Sequence, residues 1–136
     1  MEKIMHFAIE HIAVAAAHPA ALRDWYVRVL GARPVWDNGK SPLVCLIALS
    51  GAWLEIYAAE AQLAARGNNK LAGWRHVALR VNSIEDARAK LIQRGVTFDE
   101  KILPAAGGGK VLFFKDPEGN LLHLIERPAD WHPGKA

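Results

Sequence analysis

Cysteine is nearly missing: Cys45 alone stands in 136 residues, so no internal disulfide can brace the fold. It lies in the apolar run PLVCLIAL, which marks a buried structural thiol ahead of a nucleophile. Long apolar runs are missing as well. No stretch approaches the roughly 20 residues that span a bilayer, and MEKIMHFAIEH lacks the apolar centre of a secretory leader. A cytoplasmic protein without a membrane partner is the expectation. Charge of one sign is scarce too: 17 Lys and Arg against 14 Asp and Glu give +3, and the basic residues are scattered. Nucleic-acid binding needs a clustered basic face, so the expected partner is a small molecule instead. Also absent is a phosphate-cradling loop. PAAGGGKVLF holds three consecutive glycines, but it leads into a strand pattern and not into a helix N-terminus. A mobile hairpin or lid at a cavity mouth is the reading for that segment.

What the chain does have is repetition. Hydrophobic residues at 51% and charged residues at 23% describe one ordinary globular domain, and its pattern is written twice. An apolar stretch over Phe7–Ala16 opens the first unit. In HPAALRDWYVRVLGARP, Leu22, Trp25, Tyr26, Val29 and Leu30 form the stripe of an amphipathic helix. Pro19 suits its first turn and Gly31 its stop, while His18 reads as the cap. Strands are expected at Arg33–Trp36, Leu43–Leu49 and Ala52–Ala58. Residues 59–72 read as a linker. The pattern then restarts with the strand WRHVALRV and the helix SIEDARAKLIQRG, which has Ser83 as N-cap and Gly95 as stop. VTF, KVLFFKD and NLLHLIER supply three further strands. Module one covers about 5–58 and module two about 73–127, with a short tail that includes His132.

Spacing supports the duplication. From His11 to Gly31 is 20 residues and from His76 to Gly95 is 19; Gly51 to Glu55 and Gly119 to His123 are both 4. His123, and not Glu126, is therefore the counterpart of Glu55. Strand parity agrees: His11, Glu55, His76 and His123 each lie opposite an aliphatic pair that can face a helix. Glu126 falls on the helix face, a place for a carboxylate paired with a basic neighbour. If the two units pack with pseudo-twofold symmetry, three imidazoles and one carboxylate meet. That donor set suits zinc, nickel, iron or manganese.

The segments EHIAV, DWYVRVLG, WLEIY, RHVALRV, LIQRGV and FFKDPEGNLLHLIE resemble the vicinal oxygen chelate superfamily, over roughly residues 5–127. Glyoxalase I, bleomycin and fosfomycin resistance proteins and extradiol dioxygenases are its members. The resemblance implies an α+β fold of two tandem βαβββ modules, an incomplete barrel around a shared central cavity, and commonly a homodimer. It also implies a divalent metal on His11, Glu55, His76 and His123. At the last position the family usually carries glutamate, so His123 is a departure.

A metal-dependent lyase or isomerase is the leading expectation, with Glu55 as the catalytic base because it is the only carboxylate of the set. An extradiol-type dioxygenase and a non-catalytic antibiotic-binding protein are the alternatives. Substrate contacts are expected from Trp53 and Tyr57, which share the face of Glu55, from Arg80 on the face of His76, and from Lys110. Trp74 is another wall candidate, whereas Trp36 is read as core.

Overall fold

A computed structural model of the chain describes residues 5–62 and 67–131. His132 and the middle of the expected linker, 63–66, lie outside the described residues. The chain divides into two compact units, Met1–Gln62 and Leu63–Ala136. Each has the order βαβββ and carries one open, mixed, four-stranded sheet, so the architecture is α+β.

In the first unit β1 (His11–Ala16) is followed by α1 (Pro19–Leu30), β2 (Arg33–Asp37), β3 (Cys45–Leu49) and β4 (Ala52–Ala58). The sheet order is β1-β4-β3-β2, with β1 parallel to β4 and the other neighbours antiparallel. A parallel neighbour requires a long crossover, and α1 lies within it. The helix forms where its stripe predicts: Leu22, Tyr26 and Val29 are buried, each aliphatic one contributing about 1.5–3 kcal/mol. Pro19 occupies the first turn. At the other end Gly31 has φ 73°, which lets the Ala32 N–H reach back to the Tyr26 carbonyl at 3.0 Å. His18 does hold the N-cap position, but through its carbonyl, which accepts the Leu22 N–H; its ring makes no capping bond. Trp36 departs from expectation: it is 52% exposed, beside a register shift between Pro34 and Trp36 in the edge strand β2. Cys45 is buried as expected, and burial raises its pKa.

The second unit repeats the arrangement with β5 (Val77–Arg80), α2 (Ile84–Gln93), β6 (Leu103–Pro104), β7 (Lys110–Lys115) and β8 (Leu121–Glu126), in the order β5-β8-β7-β6. Ser83 caps α2, its Oγ accepting the Asp86 N–H at 3.2 Å. The DPEGN turn is organised by the buried Asp116, whose carboxylate accepts from the N–H groups of Glu118 and Asn120 and from the Asn120 amide. VTF is not a strand. The Val96 N–H turns back to the Leu91 carbonyl, and Phe98 packs on Phe114 with ring centroids 5.4 Å apart. Its apolar character serves packing, and the fourth strand is the two-residue β6 further on.

Candidate functional site

Strand β8 lies between β5 and β7, and Leu121 to Ile125 are buried on both of its faces. The register places His123 opposite Ala78 of β5 and Phe113 of β7. His76, just before β5, comes to the same spot: its ring centroid is 4.3 Å from that of His123, and Phe113 stands 5.6 Å and 4.9 Å from the two. His123 is 7% exposed, and its buried Nδ1 has no hydrogen-bond partner among the described residues. Burial first, then the charges of His76 and Arg127, lower its pKa to about 4, so the imidazole is neutral at pH 7. His76 Nδ1 lies 2.7 Å from Asn69 Oδ1. An amide oxygen only accepts, so Nδ1 donates in this contact and Nε2 is the ring atom left to ligate.

In the first unit the register Ala13↔Glu55 places His11, Trp53, Glu55 and Tyr57 on one face, while Leu54 and Ile56 are buried on the other. His11 pairs with Trp53 and is therefore one same-face step from Glu55. Its Nδ1 is 3.0 Å from Glu10 Oε1, again leaving Nε2 as the available donor atom. Orientation of a ligating ring through its other nitrogen is the usual support for a metal-bound histidine. Tyr57 is 37% exposed, and Trp74 projects fully into solvent.

The donor types fit a borderline divalent ion: two imidazoles oriented through Nδ1, a third with a buried nitrogen lacking a partner, and one carboxylate. Each unit brings two of the four predicted ligands to a common face. Within either unit, among the described residues, no group of three or more His, Cys, Asp or Glu stands together.

Other predicted residues divide by face. Arg80 lies on the His123 face, opposite Ile125. Lys110 pairs with Glu126 and lies on the other face, where its Nζ is 3.3 Å from Glu85 and 3.7 Å from Glu126. Glu126 is on the helix side, as parity requires, and accepts the Ile84 N–H at the start of α2 at 2.9 Å. A carboxylate there also opposes the positive end of the helix dipole. Three residues without a repeat counterpart escaped sequence reasoning: Asn69, Arg127 and Trp131. Arg127 donates to the carbonyls of Ala106 and Gly108, and Trp131 Nε1 donates to that of Gly107. The glycine segment, expected as a mobile lid, is thus tied from the residues that follow β8.

Among the described residues no helix is long and apolar enough to cross a membrane. No curated protein matches the chain. Among solved structures, a glyoxalase family protein from Enterococcus faecalis is 31% identical, covering 88% of this chain and 97% of that one, with a TM-score of 0.73. A glyoxalase/bleomycin resistance protein/dioxygenase superfamily member from Sphaerobacter thermophilus is 23% identical, covering 91% and 100%, with a TM-score of 0.71. A variant of the fosfomycin resistance protein FosX from Listeria monocytogenes, complexed with Mn(II) and 1S,2S-dihydroxypropylphosphonic acid, is 16% identical, covering 93% and 94%, with a TM-score of 0.70. The last two speak for the fold alone. Residues 8–124 match the family model, and with the duplicated βαβββ sheets this establishes that the chain belongs to the Glyoxalase/Bleomycin resistance protein/Dioxygenase superfamily.

Proposed function

We propose that this chain is a metal-dependent lyase or isomerase of the glyoxalase type acting on a small oxygenated substrate. In this reading His11, Glu55, His76 and His123 hold zinc, nickel, iron or manganese. The observation that carries it is the imidazole pair of the second unit. Its rings are 4.3 Å apart, one with a buried nitrogen lacking a partner, the other with its proton fixed by Asn69. A buried unsatisfied nitrogen costs about 1–3 kcal/mol as mere structure, and ligation would remove that cost.

When bound, the ion supplies Lewis-acid stabilisation of negative charge on adjacent substrate oxygens. Glu55 serves as base, accepting a proton at a carboxylate oxygen from the carbon beside the substrate carbonyl and handing it on within the substrate. Trp53 and Tyr57 flank that carboxylate and offer apolar walls that orient the substrate and exclude water. The 31% identity to a glyoxalase family protein supports the reaction class. The same reading has a cytoplasmic homodimer with neither nucleic acid nor membrane as partner. Exposed Phe7 and Ile9, with Ile12 on the edge strand β1, support a self-association surface.

Elemental analysis of protein loaded with each ion is the test. Stoichiometric metal is expected, falling to background in the double variant His11→Ala/His76→Ala; full retention there refutes the site. A second reading, sequestration of an aromatic antibiotic without catalysis, draws on the accessible Trp53 and Tyr57. Tight binding of an aromatic ligand by metal-free protein with no metal uptake would favour it. An extradiol-type dioxygenase ranks lower because His123 stands at the late glutamate position; iron content and oxygen uptake with catechols separate it.

A further inference from the structure

We propose that the Arg80 end of the His123 face in the second unit is an anion subsite, which takes a carboxylate, phosphate or phosphonate group carried by the substrate. The inference rests on the metal-site reading only for what lies beside the subsite. Arg80 pairs with Ile125, one same-face step beyond the Ala78↔His123 pair. Such a step is about 7 Å, a separation that a short organic acid spans between its chelating oxygens and its anionic end.

Two observations build the subsite. The guanidinium carbons of Arg127 and Arg80 stand 4.4 Å and 6.0 Å from the centroid of one ring, Trp131. Two cations gathered at one ring repel each other, and among the described residues neither has a carboxylate within ion-pair distance. The ion pairs that do form involve His11, Arg23 and Lys110. Secondly, Arg127 is fixed by the carbonyls of Ala106 and Gly108, and Trp131 by that of Gly107, so one cation and the ring form a rigid wall. Arg80, exposed at the end of β5, has its planar fork available for two parallel bonds to an oxyanion. Lys110 cannot share the task, because it lies on the opposite face with Glu85 and Glu126.

The test uses metal-free full-length protein at low salt, titrated with inorganic phosphate and in parallel with acetate. Arginine Nε–H and tryptophan indole NMR signals are followed. A saturable shift of the Arg80 and Trp131 signals with either anion is expected. Affinity should fall about fivefold or more in Arg80→Gln, as for a lost charged pair, be partly kept in Arg80→Lys, and be unchanged in Lys110→Gln. No saturable response to either anion overturns the proposal. So does equal weakening in Lys110→Gln, which would signal diffuse surface charge. Because no metal is present, failure of the metal site leaves this result untouched, and failure here leaves the metal stoichiometry untouched.

Discussion

Gly109 is where the glycine segment enters β7, and replacing it with alanine isolates the cost of a close backbone approach. Its φ is +103°, and a Cβ there would collide with the Glu126 carbonyl oxygen while meeting Glu126 C at 3.0 Å and Arg127 Cα at 3.1 Å. All three are backbone atoms and cannot swing aside. A side chain in a left-handed conformation costs about 1–2 kcal/mol. Displacing packed backbone adds about 1–3 kcal/mol, by analogy with overfilled cores. Alanine recovers about 0.4–1 kcal/mol by restricting the unfolded chain. The net expectation is a loss of about 1–5 kcal/mol, centred near 3. Two comparison variants separate the contributions. Gly31 has φ +73° with nothing within 4 Å of the added carbon, so Gly31→Ala carries strain alone and should cost about 1 kcal/mol. Gly51 has open space and no left-handed φ, so Gly51→Ala should be neutral or slightly stabilising. Urea unfolding followed by tryptophan fluorescence ranks the three. A Gly109→Ala protein within about 1 kcal/mol of the parent, or no worse than Gly31→Ala, would show that the reasoning about the tied segment is wrong.

Two further outcomes follow from the second unit. The His123 pKa is depressed from 6.5 to about 4, so the unfolded chain binds the extra proton between those values. Stability is therefore complete above about pH 6.5 and declines as pH falls toward 4, by up to roughly 3 kcal/mol; NMR titration of metal-free protein finding His123 midway near 6.5 would contradict this. Glu126→Ala strands the N–H of the fully buried Ile84 and removes a carboxylate from the start of α2. A loss of about 1–2 kcal/mol in urea unfolding is expected, and a change below about 0.5 kcal/mol would mean the contact is incidental.

Much of this architecture was legible because it follows from short-range rules. The helix stripe of Leu22, Tyr26 and Val29, the Gly31 stop and the Ser83 cap each depend on residues a turn apart. Parity along β4 and β8 settled which of His123 and Glu126 faces the histidine side, because strand alternation admits no exception without a bulge. The failures lie where a distant partner decides. VTF has strand-like composition, yet Leu91 and Phe114 claim its Val96 and Phe98. Lys110 was expected to meet substrate, but its register with Glu126 directs it to α2. Asn69 and Trp131 belong to irregular segments with no period, so nothing in the pattern announced that one orients His76 and the other holds Gly107.

Both sheets seat their last-made strand in the interior: β4 between β1 and β3, and β8 between β5 and β7. On a ribosome, β5 must therefore wait for a mate more than 40 positions downstream, with Val77 meeting Leu122 only once nearly the whole second unit has emerged. Such long-range closure slows folding. The first unit closes over a similar span, His11 meeting Trp53 42 positions on, but Ala58 completes its sheet before the second begins. Assembly from the N-terminal side is the order that this topology sets.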